Sequence, residues 1–326
     1  MQTLILIAIA GLAAQLVDGG LGMGFGVTST TILILLAGLG PAQASAVVHT
    51  AEVGTTLVSG ISHWKFGNVD WKVVFRLGVP GAIGAFAGAT FLSNLSMEAA
   101  APITSGILAL IGINLVWRFS KGRVKRNFSE RPHSSGFLGG LGVVGGFIDA
   151  SGGGGWGPVT TSTLLSLGRT EPRKIVGTVN TAEFLVSLAA TLGFMIGLWS
   201  DLVDNLAAVF ALLIGGAIAA PIAAWMISRV NATVLGGFVG TAIIALNLPK
   251  VLEAAGLSFN GDWIIQLAIV IVGVLFTVLG VRRYRANLAQ ALREEAVAAA
   301  TGEGAELTTD PGDDTSVNPS KVKSRS

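Results

Sequence analysis

Cysteine is absent from the 326 residues, which excludes disulfides and thiol chemistry and leaves the redox compartment open. Charge is scarce as well. Asp, Glu, Lys and Arg make up 12% of the chain, about half of the roughly 25% usual in a soluble domain. Set against 51% hydrophobic residues and a mean hydropathy of +0.69, that scarcity puts the chain in a lipid bilayer. Histidine occurs only as His49, His63 and His133, too scattered to build a metal site. The apolar start, Met1 to Ala14, lacks the basic n-region of a signal peptide. It is read as retained, because its counterpart lies mid-chain around Phe137 to Ile148.

What the chain has in abundance is glycine, and it is concentrated twice. Asp149-Ala150-Ser151-Gly152-Gly153-Gly154-Gly155-Trp156-Gly157-Pro158 repeats, 131 positions later, the pattern of Asp18-Gly19-Gly20-Leu21-Gly22-Met23-Gly24-Phe25-Gly26-Val27. The register persists beyond the loops. Pro41 falls on Pro172, Thr50-Ala51-Glu52 on Thr181-Ala182-Glu183, Gly84 on Gly215 and Gly106 on Gly237. Such a gapless register marks an internal duplication.

Apolar segments run over 3–38 with a glycine break inside, then 42–63, 72–93 and 100–117. The second copy gives 136–168, again broken, then 174–198, 203–228 and 232–249, and an unpaired segment covers 263–281. About 20 apolar residues suffice to cross a bilayer. Basic loops mark the cytoplasmic side. Arg118, Lys121, Arg123, Lys125, Arg126 and Arg131 place the central linker there, and Arg169, Arg173 and Lys174 do the same for the end of the second broken segment. That segment therefore enters and leaves on one face. Each copy reads as a re-entrant hairpin plus three crossing helices, and three is odd, so the copies insert with opposite polarity. The expectation is an all-α integral membrane protein of two inverted repeats with one extra C-terminal transmembrane helix. Its parts are a first repeat (1–118), a basic cytoplasmic linker (119–135), a second repeat (136–250), a final helix (251–285) and a disordered cytoplasmic tail (286–326). Trp64, Trp71, Trp117, Trp199, Trp225 and Trp263 lie near span ends, as interfacial residues do.

Irregular backbone at membrane depth survives only inside protein or beside a water-filled cavity. Glycine breaks at matching places in two repeats point to a transporter's solute site. A half-helix starting after each break offers free N–H groups and partial positive charge to an anion. The candidate binding residues are Gly22, Gly24, Gly26, Thr28 and Ser29 from the first break, and Gly153, Gly154, Gly155, Trp156, Thr160 and Thr161 from the second. Thr50, Thr181, His49 and Asn180 join them from the helices that follow. Intramembrane acids default to function, which makes Glu52, Glu183, Asp18 and Asp149 candidates for proton coupling. A structural alternative stands beside each reading. The glycines and hydroxyls can serve helix packing and local hydrogen bonds, and the aspartates can cap broken helix ends. Gly81, Gly84, Gly88, Gly236 and Gly240 are read as packing positions.

At these residues the chain resembles the sulfite exporter family, TauE/SafE, over about 3–281. The run Gly152-Gly153-Gly154-Gly155-Trp156-Gly157-Pro158 is similar to the family's glycine run followed by proline, whereas Gly22-Met23-Gly24 has no unbroken triplet and Val27 replaces the proline. The resemblance implies export of sulfite, a sulfonate or a related oxyanion across a plasma (inner) membrane; the basic run Arg282-Arg283-Tyr284-Arg285 puts the C-terminal tail in the cytoplasm. The resemblance implies no enzyme activity and no cofactor. The expected partners are a small anionic substrate and the lipid bilayer, not nucleic acid, and a homo-oligomer is left open. Three rivals remain: a passive anion channel using the same site, a membrane-embedded enzyme using Asp18 and Asp149 as an acid–base pair, and a non-transporting membrane partner that signals through its tail.

Overall fold

A computed structural model describes residues 2–21, 23–122, 132–167, 169–226, 232–257 and 262–301; for 19–21, 221, 223–226, 232, 262, 295 and 298–301 it describes the backbone alone. The described residues are helical throughout, joined by short turns. The first half comprises α1 (Gln2–Leu21), α2 (Phe25–Leu36), α3 (Pro41–Lys65), α4 (Trp71–Ser93) and α5 (Met97–Ser120). The second comprises α6 (Ser135–Gly152), a π-turn (Gly157–Thr161), α7 (Ser162–Leu167), α8 (Pro172–Gly197), α9 (Trp199–Asp204), α10 (Leu206–Met226) and α11 (Ala232–Ala254). The last helix is α12 (Asp262–Thr301).

Local chemistry explains the boundaries. The Asp70 carboxylate accepts from the Lys72 and Val73 N–H groups at 3.0 and 3.3 Å, and Ser96 and Ser134 cap α5 and α6 in the same way. Pro41 and Pro172 each open their helix at the first turn, where a missing N–H costs nothing. Five described helices are long and apolar enough to cross a membrane: Trp71–Ser93, Met97–Ser120, Pro172–Gly197, Thr233–Ala254 and Trp263–Glu294. Thus the chain is a multi-pass membrane protein. Helix α3 has the length, at 25 residues, but its polar and titratable side chains lower its hydropathy. Trp64, Trp71, Trp117, Trp199 and Trp263 are exposed near helix ends; the Trp225 side chain lies outside the described ones.

Two helix pairs bring backbones into contact through glycine. A Cβ at Gly84, Gly142 or Gly146 would strike the backbone of Val143, Leu77 or Gly81, so α4 and α6 pack with nothing between them. The matching pair, α1 on α10, meets at Gly11 against Leu212 and Gly215 against Ala8. The packing reading holds for the other glycines too: Gly81 faces the Trp156 ring, Gly88 the Phe147 backbone, Gly236 the Phe119 ring and Gly240 the Gly112 carbonyl. Accordingly, Gly146→Val is expected to prise α4 from α6 and lower the unfolding midpoint of the solubilised protein, an overpacking cost of about 1–3 kcal/mol or more. Gly140→Ala, with nothing within 4 Å of its new Cβ, should not.

Two pairs of helices related by the 131-residue offset lie antiparallel. On α3 and α8, Glu52 meets Ser187 and Ser59 meets Asn180, so position rises along one helix as it falls along the other. On α5 and α11, Gly112 faces Ile244 and Phe119 faces Gly236, in the same sense. The two breaks lead away from this centre in different directions. Thr31, on α2, meets Asn247 near the C-terminal end of α11, whereas Ser162, opening α7, meets Arg118 near the C-terminal end of α5.

The chain divides into two units, Met1–Tyr284 and Arg285–Ser326. One expectation needs correcting here. Helix α12 continues through Thr301 rather than giving way to a disordered tail at 286. The reason is composition: residues 286–300 are rich in Ala, Leu, Glu and Arg, all strong helix formers, and Gln290 donates to Glu294 one turn on at 2.8 Å.

Candidate functional site

A helix that stops inside a membrane protein leaves unpaired carbonyls at its end and unpaired N–H groups at the next start. At the end of α6 other helices supply the missing donors. Ser45 of α3 donates to the Ala150 carbonyl at 2.9 Å, Thr104 of α5 to Ser151 at 3.3 Å, and Thr30 of α2 to Gly153. Gly153 and Gly154 turn the chain with φ of 73° and 128°, and the Gly154 N–H returns to the Asp149 carbonyl at 2.8 Å. Past the turn, one oxygen of the Asp149 carboxylate accepts from both Gly155 and Trp156 N–H, at 2.7 and 2.8 Å. Asp18 stands 131 positions earlier, at the corresponding place in the first break. Asp149 therefore caps the new helix start, and the Gly155 and Trp156 amides expected to stand open for an anion already hold a carboxylate of the chain itself.

The two breaks touch. An ideal Cβ on Gly26 would lie 2.8 Å from Gly154 Cα and 3.0 Å from Glu52 Oε1, and one on Gly154 would overlap the backbone of Gly26 and Val27. Among the described residues, no solute-sized space separates these loops. Of the hydroxyls on the half-helices, those of Thr31, Thr160 and Thr163 bond back to the carbonyl four residues earlier. Those of Thr28, Ser29 and Thr161 have no partner among the described residues, although Ser29 and Thr161 are fully buried. Leaving a buried hydroxyl unpaired costs about 1–3 kcal/mol.

Beside the loops lies a buried group of titratable side chains. His49 Nδ1 is 2.9 Å from Glu52 Oε2 and 3.8 Å from Asp149 Oδ2, and its Nε2 approaches the Asp149 carbonyl at 3.4 Å. Phe194 of α8 stacks on the imidazole with centroids 6.1 Å apart. Ser187 of α8 donates to Glu52 at 3.4 Å. The second Asp149 oxygen has no hydrogen-bond donor. Glu52 and Glu183, one from each half, line a cavity of about 10 Å³ with Asp18, Gln15, Ser59 and Asn180. That is room for roughly one water. No three such groups among the described residues are placed to hold a metal ion.

The other expected site residues make contacts within the chain. Trp156 is fully enclosed, its Nε1 donating to the Val179 carbonyl at 3.1 Å and its ring against Gly81 and Gly145, so it lines neither cavity. The Thr50 and Thr181 hydroxyls bond to their own helices, at Ala46 and Gly177. Asn180 reaches Ser59 at 3.4 Å. Gly24 turns the first loop with φ 130°, and Gly22 lies outside the described residues.

The larger space lies to one side of the loops, and the sequence reading missed it. A cleft of about 880 Å³ runs between α5, the π-turn and α7, with Ile107, Ile111, Ile148, Pro158 and Val159 among its apolar walls. Arg118, Lys121, Asn114, Ser162 and Thr163 supply its polar groups. Arg118 bends inward, donating to Ser162 and reaching Met23 Sδ at 3.9 Å. Its sequence signal, a lone arginine at the edge of a span, served only to mark a cytoplasmic loop.

Comparison with known proteins agrees with the membrane architecture. The family described as "Sulfite exporter TauE/SafE" matches residues 7–249. A protein of Bacillus subtilis (strain 168) described as "Probable membrane transporter protein YtnM" is 46% identical over 275 residues, covering 82% of this chain and 87% of that one. No solved structure matches.

Proposed function

The chain belongs to the sulfite exporter TauE/SafE family, and on that premise we propose a secondary transporter that moves a small sulfur-containing anion, sulfite or a sulfonate, out of the cell by alternating access. It works in the plasma membrane with the end of α12 in the cytoplasm. Its two repeats are inverted, and α2 and α7 return to opposite faces as the second arms of re-entrant hairpins. The antiparallel pairing of α3 with α8 and of α5 with α11 supports the inversion. Length supports the hairpins: α2, with 12 residues, is about 18 Å long, short of the roughly 30 Å hydrocarbon core.

The observation that carries this reading is the Asp149 cap. A carboxylate oxygen, itself an oxyanion, sits on two backbone N–H groups at the start of a half-helix, 2.7 and 2.8 Å away. A sulfite or sulfonate oxygen offers the same acceptor. Protonating Asp149 weakens its claim on the amides and lets the solute replace it, which ties solute binding to a proton. Asp18 acts likewise at the first break, and His49 and Glu52 exchange the proton with Asp149. The Ser29 and Thr161 hydroxyls, now without partners, serve the anion once the loops part.

Purified protein in proteoliposomes tests the reading. Sulfite or methanesulfonate is expected to accumulate against its gradient when a pH gradient is imposed. Flux that only dissipates a gradient would replace the carrier with a channel, and no flux of any sulfur oxyanion would end the reading.

A further inference from the structure

We infer that the cleft beside α5 and the π-turn binds an organic oxyanion, its charged end on the Arg118 guanidinium and its apolar body along Ile107, Ile111 and Val159. The inference rests on the transporter reading and names the place where solute is first held.

Three observations lead to it. Arg118 is half-buried and permanently charged, yet among the described residues no carboxylate lies within ion-pair distance of it. Its partners are the Ser162 hydroxyl, the Met23 sulfur at 3.9 Å and the Phe119 ring at 5.5 Å. A guanidinium carries five N–H donors in a planar fork suited to an oxyanion, so most of its capacity is uncommitted. Lys121, on the same cleft, adds a second positive charge, held over the Trp117 ring at 4.3 Å.

Size and wall chemistry choose the class of ligand. About 880 Å³ lies within the range of sites for organic ligands and far exceeds what a bare sulfite fills. The walls are mainly apolar, so a ligand gains there only if it brings hydrocarbon to bury. The sequence around Arg118 is also not repeated across the duplication. Position 118 falls on Pro249, and Asn247, on the same stretch of α11, instead meets Thr31 at 3.5 Å. The inward guanidinium is therefore a feature of α5, whereas α11 carries proline at the matching position and Lys250 beside it.

The test compares methanesulfonate and hexanesulfonate, which share a head group, by titration calorimetry on the full chain in phosphatidylcholine nanodiscs. Hexanesulfonate is expected to bind at least about tenfold more tightly. Arg118→Gln should weaken both by about ten- to a hundredfold, with Arg118→Lys losing less. Ser166→Trp, at an exposed position on the cleft wall, should block hexanesulfonate without removing the charge. Equal affinity for the two sulfonates, or Arg118→Gln and Ser166→Trp proteins that bind like the wild type, would overturn the inference. So would binding competence that depends on added phosphatidylglycerol, which would assign the guanidinium to a lipid head group. Sulfite flux measured in parallel separates the two readings. Wild-type flux with Arg118-independent binding defeats the cleft alone, and absent flux defeats the transporter reading while calorimetry still decides the cleft.

Discussion

Gly154→Ala is expected to lower transport more than tenfold and to reduce the yield of folded protein. Gly154 holds φ at 128°, a region side chains rarely enter, at a cost of roughly 1–2 kcal/mol. Its new Cβ would also overlap the Val27 nitrogen and the Gly26 carbonyl carbon. Those atoms are backbone and cannot swing aside as a side chain would. The loops must separate, and with them go the Thr30 bond to the Gly153 carbonyl and the aim of the Gly155 and Trp156 amides at Asp149. Gly106→Ala is the control, since nothing lies within 4 Å of its added methyl. Proteoliposome flux and fluorescence-detected gel filtration measure the two effects. A Gly154→Ala protein with full flux would mean that close contact of the breaks is dispensable.

His49→Asn should abolish the response of flux to an imposed pH gradient, and so should Glu52→Gln. Asparagine is what the second repeat carries at the matching position, Asn180, so the fold tolerates its size there. What disappears is a titratable ring, fully buried, held 2.9 Å from Glu52 and 3.8 Å from Asp149. Removing one member of a buried pair typically costs about 3–5 kcal/mol, because its partner stays buried without compensation. The double variant, His49→Asn with Glu52→Gln, should therefore cost less than the two singles added together. Unfolding midpoints in detergent test the additivity, and flux at several imposed gradients tests the coupling. Additive losses with an unchanged gradient response would leave the trio as structural filler.

The elements were legible where the chain repeats itself or changes polarity. Pro41 and Pro172 open matching helices, and the glycine runs interrupt matching spans, because backbone conformation is written locally. Who completes the broken ends was not legible. Ser45, Thr104 and Thr30 are ordinary polar residues of distant helices, and only their packing against α6 aims them at its carbonyls. Asp149 could be read as either cap or proton carrier, and its hydrogen bonds with the Gly155 and Trp156 amides come from a turn whose geometry the sequence does not spell out. Trp156 sits in a loop by sequence but is swallowed by the space that Gly81 and Gly145 leave open. Arg118 was the costliest oversight, since counting a charge toward a loop says nothing of which way a long flexible side chain bends.

The bare-backbone seams of α4 on α6 and α1 on α10 each join a helix from one copy to a helix from the other. Neither copy thus owns an interior. If the chain were severed in its central linker, α4 would find its mate only across the cut, and so would α1. Two such fragments made together should assemble and work as one, while either made alone would have nothing to close upon.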